Sequence, residues 1–166
     1  AQMERETIAD RIRDNLQELA KTGRWLGGNT PLGYESEGTE YCKVDGKKRK
    51  TFHLKLIPEE AQLVQMIFAK FLEVKSLTKL ETYLLNQDYK TRQGKPFSRF
   101  AIRELIMNPV YAKADGAMYQ YLIENGVCPF SDQNAFDGTH GIMAYNRTEQ
   151  TKGSTTRKKP MEEWVV

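Results

Sequence analysis

Apolar positions recur at helical spacing in four stretches of this chain, and the width of each apolar stripe assigns it a different job. From Gln2 to about Thr22, Ile8, Ile12, Leu16 and Leu19 form a narrow stripe, flanked by Glu4, Glu6, Asp10, Asp14 and Glu18 against Arg5, Arg11, Arg13 and Lys21. Such a stripe predicts a helix that docks through a thin seam rather than one that fills a core. Pro58, Glu59 and Glu60 open a second helix with proline in its first turn and acids at its positive end. Ala61, Val64, Ile67, Phe68, Phe71 and Leu72 give that helix a broad apolar face. Ser76 caps a third helix running to about Asn86, with Leu77, Leu80, Leu84 and Leu85 inward and Tyr83 near the edge. Ser98 caps a fourth, which Asn108-Pro109 stops because the residue before a proline disfavours the α region. In this short helix Ala101, Ile102, Leu105 and Ile106 share one face, while Arg99 and Arg103, four apart, share another.

Between these helices the pattern changes. Gly23 ends the first helix, and GRWLGGNTPLGY follows, too rich in glycine to be a regular element and able to approach another surface closely. Residues 32–35 and 51–57 read as short strands joined through a basic loop with a turn at Asp45-Gly46. After Pro109, residues 110–112 and 119–123 read as strands around an Asp115-Gly116 turn, and residues 147–160 as a mobile basic loop before a final strand through Trp164. The expected fold class is α+β, mainly helical. It is a small helical domain with a helix-turn-helix-like unit and short antiparallel β-ribbons, preceded by a connecting helix. The divisions fall at 1–23, 24–33 and 34–166.

Composition narrows the function. At 166 residues and 39% hydrophobic, the chain suits one domain with appendages. No run approaches the roughly 20 apolar residues of a membrane span, and the start lacks the apolar region of a signal peptide, so a cytoplasmic setting is expected. The apolar end at Trp164, Val165 and Val166 reads as a cut from a longer protein. Cys42, Cys128, His53 and His140 form no close-spaced pair, so neither a metal site nor a cofactor is expected, and both cysteines read as free thiols. Nothing resembles a Ser/His/Asp arrangement, and Glu59 with Glu60 is explained by the helix dipole, which sets a hydrolase lowest. The net charge of +3 is unevenly spread. Lys43, Lys47, Lys48, Arg49, Lys50 and Lys55 face Asp45 alone, and Lys90, Arg92, Lys95, Arg99 and Arg103 meet Asp88 and Glu104. That asymmetry fits a polyanion; the alternative is a protein interaction module with a coiled-coil-like first helix and no specific DNA binding.

Several segments together resemble the large serine recombinases of phages and conjugative transposons, over nearly the whole chain and on their recombinase domain. They are IADRI from Ile8 to Ile12, GRWLGGNTPLGY, IPEEAQLVQMIFAKF, LLNQDYKTRQGKPFS and the helix closing in Met107-Asn108-Pro109-Val110-Tyr111. The resemblance implies a bacterial protein that integrates or excises a mobile element, with double-stranded DNA, an attachment half-site, as partner. It implies that the first helix ends a long connector from a catalytic domain and shares in subunit contacts of the full-length protein; this fragment by itself is expected to be monomeric or weakly self-associating. The glycine segment would then follow the minor groove through Arg24 and Asn29, and the Ser98 helix would face the major groove. By the same resemblance Arg99 and Arg103 contact bases or phosphates, Ser98 begins the contacting helix, and Arg92 and Lys95 hold phosphates. The nucleophilic serine would lie upstream and a zinc ribbon downstream, so no catalytic residue is expected here.

Overall fold

The computed structural model describes residues 1–44, 47–151, 153 and 155–166, and of residues 39–44, 47 and 49 the backbone alone. The fold is α+β and mainly helical, with two two-stranded hairpins. The chain divides into two compact units, one of residues 27–37 and 54–108, the other of residues 1–26, 38–53 and 109–166.

The first of these is built on α2 (Pro58–Val74), α3 (Leu77–Asn86) and α4 (Arg99–Ile106), with α3 packed on both neighbours. Each boundary has a local cause. Pro58 opens α2 with Glu59 and Glu60 beside it. Lys75, in the left-handed region at φ +50°, closes it by returning its N–H to the Phe71 carbonyl at 2.7 Å. The next residue, Ser76, caps α3 by accepting from the Lys79 N–H. Ile67, Leu80, Leu84 and Ile102 are fully buried, joined by Val64, Phe97 and Leu105. The apolar face expected on α2 and α3 is narrower than the residue types implied, because Leu72 and Leu85 are exposed. Leu85 follows Leu84 and so lies about 100° round the helix from it; Leu72, eight residues after Val64, lies about 80° away.

The hairpin of β1 (Tyr34–Val44) and β2 (Lys47–Leu56) is longer than the strands expected at 32–35 and 51–57, and much of the anticipated basic loop is strand. The Asp45-Gly46 turn and the side chains of Cys42, Lys43, Lys47 and Arg49 lie outside the described residues.

The other unit carries α1 (Gln2–Ala20), α5 (Gly116–Glu124) and a small hairpin of β3 (Thr148–Gln150) with β4 (Thr156–Lys158). Four sequence expectations are corrected here. Residues 119–123 form a helix rather than a strand, because Asp115 acts as an N-cap: its Oδ1 accepts the Met118 N–H at 2.9 Å. Asp-Gly signals a turn and a helix start equally well. Residues 110–112 are no strand either; Pro109 fixes φ for a 3-10 turn, which the Ala112 N–H closes onto the Pro109 carbonyl at 2.9 Å. Thr148 pairs with Lys158 and Gln150 with Thr156 where a mobile loop was expected, and the final run makes a single bridge, Tyr145 with Val165, instead of a strand. Ala114, Leu122, Val127 and Ile142 form the core of this unit, with Met118, Phe136 and Met161 against it. Gly141 is required there, since an added Cβ would lie 2.8 Å from the Val110 carbonyl oxygen.

Replacing the buried Ile102 with alanine should cost about 2–5 kcal/mol of unfolding free energy, and the same change at exposed Leu85 within about 0.5 kcal/mol. Urea denaturation followed by circular dichroism reads both. Equal losses would mean that the apolar face of α3 extends further than the burial pattern.

Candidate nucleic-acid interface

Ser98 starts α4 by accepting the Ala101 N–H at 3.1 Å, and the chain stops at Met107 ahead of Asn108-Pro109. Ile102 and Leu105 point into the helical core, which fixes which face the helix turns outward. Arg99, Phe100, Arg103 and Met107 are exposed on the outward side. Phe100 retains 72% of its surface, a large apolar ring beside cations. Arg103 has no side-chain partner among the described residues. Arg99 has one: Glu81 on α3, whose Oε1 accepts the Arg99 backbone N–H at 3.1 Å and whose Oε2 lies 3.1 Å from Arg99 Nε.

The turn before α4 is tight. Lys90 and Pro96 form an antiparallel bridge, the Thr91 N–H donates to the Lys95 carbonyl, and the Gly94 N–H donates to that of Thr91, both at 2.8 Å. Gly94 takes φ +72°, where glycine is strain-free. Lys95 is left exposed, without a side-chain partner among the described residues, whereas Lys90 pairs with Asp88.

Arg92, expected to hold a phosphate, is used inside the unit. Its Nε donates to Glu60 Oε1 at 2.8 Å and one Nη to the other oxygen of that carboxylate. The remaining donors reach the Thr30 carbonyl and Oγ1 at 2.9 Å, the Pro31 carbonyl at 3.2 Å and the Tyr34 carbonyl at 2.7 Å. Glu60 Oε2 also accepts the Gly33 N–H at 2.8 Å, and the Gly33 carbonyl accepts from Ile57 N–H at 2.8 Å. Gly33 is buried at φ +94°, a conformation that other residues adopt only under strain. The first turn of α2, the end of the glycine segment and the turn before α4 are thereby tied together.

Asn29, just ahead of this clamp, is exposed after Gly27 and Gly28, both at positive φ, and has no side-chain partner among the described residues. Asn29, Arg92, Lys95, Ser98, Arg99 and Arg103 thus share one unit, and Arg24 belongs to the other. Sequence reasoning missed three residues here. Glu60 was read only as a helix-dipole acid and Glu81 was not singled out, because their partners lie 32 and 18 positions away. Phe100 was detectable: it falls off the Ile102/Leu105 stripe.

The Arg92 hydrogen bonds, aided by the Gly33 N–H and the guanidinium charge, hold the Glu60 carboxyl below its ordinary 4.5 against a smaller opposing effect of burial. The unfolded chain therefore takes up this proton first. The stabilisation is complete above about pH 5 and is lost as pH falls below 4.5 through the folded value. Glu60→Gln should be less stable at neutral pH and should lose this part of the acid decline. Denaturant unfolding across that window measures it; parallel curves for both proteins would detach Glu60 from the acid sensitivity.

No solved structure matches the chain. The family described as Recombinase does match, over residues 58–166. That span begins at the first residue of α2, takes in the clamp's Glu60 and Arg92 and the whole of the outward-facing α4, and exceeds half the chain, so the protein belongs to the Recombinase family.

Proposed function

We propose that this chain is the sequence-reading DNA-binding module of a serine-type site-specific recombinase, acting on the integration or excision of a mobile element. The observation that carries the reading is α4, a capped helix with a buried apolar face and an exposed face holding Arg99, Phe100 and Arg103. Family membership supplies DNA as the partner. Eight helical residues extend about 12 Å, a length that fits the B-DNA major groove, about 12 Å wide. There Arg99 and Arg103 pair with base edges or phosphates, Phe100 offers apolar contact to a thymine methyl, and Lys95 meets the backbone. Arg24 and Asn29 accompany the glycine segment along the minor groove, where the potential is most negative. To Arg92 we assign the holding of that segment. Strand cutting belongs to a catalytic serine outside this chain.

On the same reading, residues 1–23 end the connector from a catalytic domain, and the exposure of Ile8 and Ile12 at 56% and 55% supports it, because an amphipathic seam left bare is one that another segment covers. No helix among the described residues is long and apolar enough to cross a membrane.

The test is selection of duplexes from a pool with a randomised central window, by the parent and by an Arg99→Ala/Arg103→Ala variant, followed by salt titration. The parent should enrich a motif and bind it above the starting pool, with each key base pair worth about 1–3 kcal/mol. The variant should lose most of that preference while keeping residual salt-sensitive binding through the other cations. A parent that enriches nothing is not a sequence reader.

A further inference from the structure

The two arginines of α4 are held differently. Arg103 stands free of side-chain partners among the described residues, whereas the Glu81 carboxylate meets Arg99 at two points, its backbone N–H and its Nε, each at 3.1 Å. The backbone contact satisfies a first-turn donor other than the Ala101 N–H that Ser98 takes. The side-chain contact uses the inner guanidinium nitrogen. Neither Nη of Arg99 makes a hydrogen bond among the described residues, and the side chain is 63% exposed.

This geometry has two physical consequences. An arginine restrained by its inner nitrogen has surrendered part of its rotamer freedom on folding, so less is lost when its outer fork meets a planar pair of acceptors. A carboxylate beside it also repels phosphates, which disfavours a backbone contact at this end of α4. Guanine, with O6 and N7 acceptors on its major-groove edge, suits a fixed outer fork. We propose that Glu81 is a positioning residue that makes Arg99 the guanine reader of α4 and leaves Arg103 to phosphates. The inference rests on the DNA-reading function above and divides its two arginines by role.

The experiment uses the full chain and the duplex enriched by the parent from the randomised pool. Its guanine positions are changed in turn to each other base, and binding is measured for the parent, Glu81→Ala, Glu81→Gln, Arg99→Ala, Arg103→Ala and the Glu81→Ala/Arg99→Ala pair. The parent should prefer guanine at one position by about tenfold. Both Glu81 variants should reduce that preference to about twofold at that position alone, with binding to the unselected pool unchanged or tighter. Glu81→Ala should add no further loss to Arg99→Ala. Arg103→Ala should keep the guanine preference and lower the salt slope by about one. Glu81→Gln keeps an acceptor for the backbone N–H but lacks the charge, so a parental preference in that variant would overturn the proposal. So would loss of preference at every position together with a lower melting temperature, which would mark Glu81 as a helix cap only. A parent that enriches no motif would remove the DNA-reading function itself, an outcome separate from an enriched motif indifferent to Glu81.

Discussion

The helical unit depends on a single guanidinium. The glycine-rich segment leading into β1 has little regular structure to pair its carbonyls, and leaving such groups dry is costly. Arg92 donates to two of them, at Thr30 and Pro31, and to that of Tyr34 at the start of β1, while its other edge grips the Glu60 carboxylate. Lysine has too few donors and no planar fork for this arrangement. Because Arg92 lies in the turn between α3 and α4, the contact that orders the glycine segment also fixes the turn from which α4 departs. The charge of Glu60 is retained in a half-buried place by its partner, and the backbone N–H of Gly33 uses the same oxygen that Arg92 does.

The helices were legible because their signals are local. Ser76 and Ser98 are caps whose partners lie three residues on, Pro58 and Pro109 act through their own rings, and the Ile102/Leu105 stripe repeats within one turn. Where a local signal has two readings, the sequence misled: Asp115-Gly116 caps α5 rather than turning a hairpin, and the choice depends on Leu122 packing with Ala114, Val127 and Ile142. The site was legible to the same extent. Arg99 and Arg103 on one exposed face followed from spacing, whereas the commitments of Arg92 to Glu60 and of Arg99 to Glu81 join residues on different elements and have no periodic trace.

On the proposed DNA-reading function, the arrangement separates affinity from reading. Lys95 and Arg103 are exposed cations without side-chain partners among the described residues, suited to a flexible backbone, while Arg99 is braced from α3. A surface made of unbraced cations alone would bind any duplex, since counterion release is indifferent to sequence. Bracing one of them with an acid gives up some of that general attraction and sharpens the remainder.

An eight-residue helix that reads a few base edges yields only a few kcal/mol of discrimination, well short of what separates a target from a genome of competing sites. In a recombinase the deficit has to be made up by combining contacts, and combination requires a link that raises effective concentration without adding a flexible tether's full entropy. A helix is such a link. The seam of α1 is exposed at Ile8 and Ile12, partly buried at Leu16 and Leu19 and ends at the buried Ala20, so it is anchored at its C-terminal end and uncovered toward its start. On the proposed DNA-reading function, modest reading by α4 and an exposed seam on α1 are complementary features: weak discrimination by one module is sufficient when a rigid element couples it to others.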